Sequence, residues 1–168
     1  LSLRRQRQMC IRDSNCTYNY AALDDLDKER RAYTIEGPLL EKTGVCQGIA
    51  LAYRLICINC GIEVIVVKGR SLRPGTATYE GHAWNLIRVG ESAAQVDVTW
   101  DMCLTSNDWP IRYDYFFLPD IEMMRDHQYV GYPICRKLNS SYFEKSQSQF
   151  KEMKDLDGFI ERVFKSNR

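Results

Sequence analysis

Histidine is scarce in this 168-residue sequence: there are two, His82 and His127. Net charge is scarce as well, since 23 Lys and Arg nearly cancel 22 Asp and Glu. That balance gives no electrostatic case for a nucleic-acid or membrane-surface partner. Long apolar runs are missing: the longest is broken by Tyr53, Arg54 and Asn59, far short of the roughly 20 residues that span a bilayer. The expectation is a soluble domain that does not insert into a membrane. Regular cysteine spacing is also lacking. Cys10, Cys16, Cys46, Cys57, Cys60, Cys103 and Cys135 are odd in number and scattered, unlike the framework of a small secreted disulfide protein, so at least one thiol is unpaired within the chain. No charged segment followed by an apolar one marks a signal peptide in these residues.

What is present is globular in composition, with 45% apolar and 27% charged residues, in a length suited to one domain with a core of its own. Residues 1–14 resemble translated sequencing-adapter sequence from assembled metagenomic fragments and are expected to be a non-native tail, excluded from fold reasoning. Residues 15–135 form the expected domain. Residues 136–168 read as a C-terminal helical extension, with Phe150, Met153, Leu156, Ile160 and Phe164 near helical spacing and Gly158 interrupting them. This is either a docking helix or the start of a truncated one.

Within the domain, residues 15–40 read as loop with a short helix. Ala50, Leu51, Leu55 and Ile58 predict a helix over 46–59 that stops at Gly61. The β-branched run 62–69 predicts a strand, 71–80 a polar loop, 82–89 a second strand, and 90–92 a hairpin connection. Alternation of Val96 and Val98 with Asp97 and Thr99 predicts a third strand over 94–100. A further strand is expected over 113–119, then a turn or short helix over 120–127. A helix followed by an antiparallel meander indicates an α+β fold.

A cysteine nucleophile must be a thiolate, and a free thiol with a pKa of about 8.5 is mostly protonated at neutral pH. Cys46 sits at the start of the expected helix, where unpaired N–H groups and a partial positive charge favour an anion. Gly44 and Gly48 are expected to leave the thiol unobstructed, and the Cys46 N–H to face a developing oxyanion. By itself Cys46 is more simply a small buried hydrophobe. Its partners change that reading. His82 opens a strand after a flexible loop, and Asp97 on the next strand of the hairpin is placed to hold its ring in one tautomer.

Gly44-Val45-Cys46-Gln47-Gly48, Gly61-Ile62-Glu63, Gly69, Gly81-His82-Ala83-Trp84-Asn85 and Asp97-Val98-Thr99-Trp100-Asp101 resemble the consecutive blocks of the transglutaminase-like superfamily. Tyr115-Phe116-Phe117-Leu118-Pro119-Asp120 and Arg125-Asp126-His127 resemble the segment that follows them in bacterial members, so the similarity covers about 15–132. The resemblance implies a papain-like core with the catalytic helix packed on an antiparallel sheet. It also implies Cys46 as nucleophile, His82 as base and Asp97 as the orienting acid, with no cofactor and no metal. The implied activity is acyl transfer or hydrolysis on glutamine side-chain or peptide amides through a thioester. A protein or peptide is then the substrate, and the chain is part of a larger protein. An extracellular or cell-envelope location follows from resemblance only, and the many free-looking cysteines point the other way.

Other readings stand beside these. Asp101 shares the expected strand parity of Asp97 but lies nearer the strand end, so Asp97 is preferred as orienter. Cys57-x-x-Cys60 resembles half a zinc or redox site but lacks a second pair, which favours buried structural cysteines. His127 reads as a surface or capping histidine in an acidic turn. Gln47, Trp84 and Trp100 are expected in the wall of the substrate site, although for the tryptophans sequence does not separate wall from core. The alternative function is a catalytically inactive transglutaminase-like domain acting as a binding module. A third idea is a zinc protein using cysteines and His82.

Overall fold

The computed structural model describes residues 16–136, apart from 26, 28, 74, 91 and 104–112. The expected tail over 1–14 and the extension over 137–168, with its pattern from Phe150 to Phe164, lie outside the described residues. In chain order the elements are β1 (Thr17–Tyr18), α1 (Ala21–Asp24), a 3-10 turn (Arg30–Tyr33), a π turn (Gly37–Glu41), β2 (Thr43–Gly44) and α2 (Cys46–Asn59). Then come β3 (Glu63–Leu72), β4 (Tyr79–Val89), β5 (Ser92–Val96), α3 (Val98–Cys103), β6 (Phe116–Leu118), α4 (Asp120–Met123) and β7 (His127–Gln128). β1 and β2 pair in parallel, and the other strands form an antiparallel sheet ordered β6-β5-β4-β3-β7. This is the expected α+β arrangement of one helix on an antiparallel sheet. Among the described residues no helix is long and apolar enough to cross a membrane.

Helix α2 begins where Val45 is still extended and ends in a closed C-terminal motif. The Gly61 N–H donates to the Ile58 carbonyl (2.9 Å) and the Ile62 N–H to the Cys57 carbonyl (2.9 Å), while Gly61 takes the left-handed conformation at φ 69°. That conformation suits glycine, and these bonds satisfy carbonyls that the helix itself leaves open. Ile49, Tyr53 and Cys57 on α2 pack with Ile62, Ile87, Val96 and Val98, and each such buried side chain stabilises by about 1.5–3 kcal/mol. One polar bond crosses this layer: Asn85 Nδ2 donates to the Ala50 carbonyl at 3.0 Å, tying β4 to α2. Residues two apart on a strand share a face, so His82, Trp84 and Leu86 project to the opposite side from Asn85 and Ile87. There Val67, Trp84, Leu86, Leu118, Met123 and Cys135 form a second apolar cluster.

Gly69 has a definite task in that second layer. A Cβ at this position would lie 2.6 Å from the six-membered ring of Trp84 and 2.3 Å from the Gln128 carbonyl oxygen. Only a residue without a side chain lets the indole lie across β3 while β7 pairs alongside.

Two expectations need correction. The third strand stops at Val96, and Val98–Cys103 is helix, so Thr99 and Trp100 are not strand residues. The cause is local: the Asp97 side chain caps that helix, Oδ1 accepting the Trp100 N–H at 3.0 Å, and this outcompetes continued pairing. The segment over 120–127 holds the expected short helix only in its first part. It divides into α4 and the short strand β7, which pairs Ser71 with His127 and Arg70 with Gln128. Between β5 and β6 the register slips at Gln95/Val96, and Phe117 stands in the left-handed region at φ 64°. Such a bulge turns the strand end, here immediately before Asp97.

Candidate active site

Cys46 is the first residue of α2, half-buried, with its backbone N–H among the unpaired donors of the helix start. The parallel pair β1–β2 places Tyr18 beside Gly44, where burial and then the nearby Cys46 raise its hydroxyl. Gly44 and Gly48 serve a different purpose from the open thiol expected of them. A Cβ at Gly48 would meet the Ala32 carbonyl oxygen at 2.2 Å, and one at Gly44 the Pro38 ring at 2.7 Å. Both glycines let the segment before the helix pack against its first turn. Gln47 turns the same way, its Nε2 donating to the Tyr33 carbonyl at 3.3 Å.

His82 reaches toward the thiol from β4, near enough to lower it. Its Nε2 lies 2.5 Å from Asp97 Oδ2, so Nδ1 is the nitrogen left for sulfur. The His82 side chain is 7% exposed and that of Asp97 fully buried. Burial pushes the Cys46 thiol up, but the hydrogen bond and charge of His82, together with the Ala83 N–H, outweigh it and hold the thiol below its ordinary value. Burial pulls His82 down, while the charge and hydrogen bond of Asp97 and contact with Cys46 raise it to about 10. Asp97 follows the same logic: burial raises it, and the charge of His82 with hydrogen bonds from His127 and His82 holds it well below the usual carboxylate range. The balance favours a thiolate beside an imidazolium. Burial pushes Cys16, Cys57, Cys103 and Cys135 the other way, so Cys46 stands apart from them.

The remaining expected site residues divide. Trp84 is core: it is 1% exposed, donates from Nε1 to Gln95 Oε1 at 2.9 Å, and stacks on His82 with ring centroids 5.8 Å apart. Trp100 is half-buried on α3, its ring 4.8 Å from Tyr115 and 4.9 Å from His127. Asp101 does not reach the base; its Oδ1 accepts the Tyr115 N–H at 2.9 Å. Cys57 belongs to the layer under α2, with Cys60 packed against it.

His127 corrects the sequence reading outright. Instead of lying on the surface it is fully buried, with Nε2 3.0 Å from Asp97 Oδ2 and Nδ1 2.6 Å from Asp126 Oδ1. Asp126 in turn accepts the Tyr115 hydroxyl at 2.5 Å. The available signal was the pairing of the second of only two histidines with an aspartate inside the block Arg125-Asp126-His127. Nothing local marked the strand that carries it inward. Among the described residues, His82, Asp97 and His127 are the one group of ligand-type side chains with donor atoms within 4.8 Å of one another. Their spacing is that of hydrogen bonds, since an ion needs about 2.0–2.2 Å to each ligand and the 2.5 Å between Nε2 and Oδ2 holds a proton.

No protein-family model matches the chain, and no curated protein matches it. Solved structures do. One is described as a TGase, with 13% identity and a TM-score of 0.45, aligned over 63% of this chain and 32% of its own. Another is described as a "Putative Cysteine Protease" from Cytophaga hutchinsonii, with 17% identity and a TM-score of 0.41, over 58% of this chain and 37% of its own. This chain therefore spans about a third of each, and it is similar to them in fold.

Proposed function

We propose that this chain is a cysteine-dependent acyl-transfer enzyme acting on glutamine side-chain or peptide amides of a protein or peptide substrate. The observation that carries this reading is the lowered Cys46 thiol at a helix start, in contact with a His82 ring whose other nitrogen is held by Asp97. In the first half-reaction the thiolate attacks the amide carbon, the C–S bond forms and the carbonyl π pair moves onto oxygen. The Cys46 N–H and the helix start favour that oxyanion. Collapse breaks the C–N bond while His82 gives its proton to the leaving amine, leaving a thioester and a neutral ring. An amine or water then attacks the thioester, His82 takes its proton, and the thiolate departs.

The test is mass spectrometry after incubation with glutamine-containing peptides, with and without an added primary amine. Deamidation, crosslinking and backbone cleavage give different masses, and one of them is expected with wild-type protein. Cys46→Ala is expected to lose at least about a thousandfold in rate, as loss of a nucleophile does elsewhere. A Cys46→Ala protein that still turns over every wild-type substrate overturns the assignment.

A further inference from the structure

We propose that His127 is a positioning residue: backed by Asp126 and Tyr115, it locks the Asp97 carboxylate that aligns His82 against Cys46. This rests on the acyl-transfer reading above and extends it from three residues to six.

Asp97 has two oxygens, and every acceptor position that matters is filled. Oδ1 takes the Trp100 N–H at 3.0 Å, and Oδ2 is shared by His82 Nε2 at 2.5 Å and His127 Nε2 at 3.0 Å. A carboxylate oxygen has two lone pairs, so two ring N–H donors complete Oδ2. Behind His127, Nδ1 meets Asp126 Oδ1 at 2.6 Å and the Tyr115 hydroxyl donates to Asp126 Oδ2 at 2.5 Å. Ionised carboxylates only accept, so the row of contacts is satisfied when His127 carries an N–H on both nitrogens. Its ring cannot turn freely. Trp84 and Trp100 each lie 4.9 Å away between centroids, Tyr115 5.5 Å and His82 5.6 Å.

A histidine with a purely structural role would be satisfied by any two acceptors. His127 instead uses the very oxygen on which His82 depends, and it arrives from β7, which among the described residues pairs with β3. The carboxylate is thereby referenced both to the end of β5 and to the far edge of the sheet. Charge works in the same direction, because His127 lowers Asp97 by hydrogen bond and by charge. The groups that face Cys46 are Tyr18, His82, Asp97 and Cys103. Those that face His127 are His82, Asp97, Asp126 and Tyr115.

The test measures the rate of Cys46 alkylation by iodoacetamide against pH, kcat and KM on a peptide substrate, and Tm, all on the full chain. His127→Gln keeps a donor where Nε2 was, whereas His127→Asn keeps one where Nδ1 was. Loss of a supporting residue behind a reacting group commonly costs about 10–100-fold, so His127→Gln is expected to lose about tenfold and His127→Asn about a hundredfold in kcat, with KM little changed. In both, the acidic limb of the alkylation profile moves to higher pH, because an Asp97 that is no longer held aligns His82 against the thiol less well. A limb that stays in place with kcat unchanged overturns the proposal, as does a fall in Tm alone or an equal loss in the two variants. Should either variant fail to fold, Tyr115→Phe decides: a kcat lower by about threefold at unchanged Tm supports the network, and unchanged kcat overturns it. The acyl-transfer reading fails on a separate result, a wild-type Cys46 alkylated no faster than a free model thiol.

Discussion

On the face of the sheet covered by α2, Ile87 and Val96 meet Ile49, Tyr53 and Cys57, and Asn85 adds one bond to the helix backbone. On the other face the apolar residues Trp84, Leu86, Leu118 and Met123 are interleaved with buried polar groups. Gln95 accepts from Trp84 and donates to Asp120 at 3.0 Å, while Asp97 and His127 are joined directly. The first face is held by area removed from water and tolerates small adjustments of shape. The second is held by matched donors and acceptors, and a missing partner there leaves a buried polar group exposed to its full desolvation penalty. Both faces bury an apolar cluster, and the second also carries the polar groups that lead to the thiol.

Three perturbations separate the two faces. Asp97→Asn is the most severe, expected to lower kcat by about a thousandfold or more, because the amide no longer holds the His82 tautomer or its charge. Wild-type-like turnover by that variant would remove Asp97 from the mechanism. Ile87→Ala acts on the other face: it is expected to cost about 2–5 kcal/mol in urea unfolding while the pH profile of Cys46 alkylation stays in place. A shifted profile would show that the two faces are not separate. The smallest effect is on stability against pH. His82 is raised in the folded protein, so its contribution is fully present below about 6.5 and is lost as pH rises toward about 10. Asp97 is depressed, so its contribution is present above about 3.9 and is lost as pH falls below that. Wild-type Tm is therefore expected to be highest between these limits and to fall more steeply on the alkaline side than that of Asp97→Asn. Parallel curves would contradict the linkage.

The helix over 46–59 was legible from its period and from Gly61 at its end, and the first strand from its β-branched run, although it continues through Gly69 to Leu72 and the second strand begins earlier, at Tyr79. That Cys46, His82 and Asp97 stand together was implied by the resemblance of the blocks that carry them and not by any local period. The role of Asp97 as a helix cap was hidden by the alternation of Val96 and Val98, which reads as strand whether or not the residue between them bonds its own backbone. His127 was illegible for another reason. β7 has two residues, and its pairing with Ser71 joins segments far apart in the chain, which no local period records. Tyr18 was hidden in the same way, since β1 and β2 are two residues each.

The cap on Asp97 has a mechanical consequence. The last torsion of a free aspartate is soft, and its carboxyl group swings between two nearly equivalent positions. With Oδ1 fastened to the Trp100 N–H, that swing is stopped and Oδ2 points one way. Six residues of helix thus act with His127 as a clamp on a single bond, and the hold on the His82 ring depends in part on whether that short turn is wound. Whatever loosens α3 therefore also frees Oδ1 of Asp97, and with it the contact to His82.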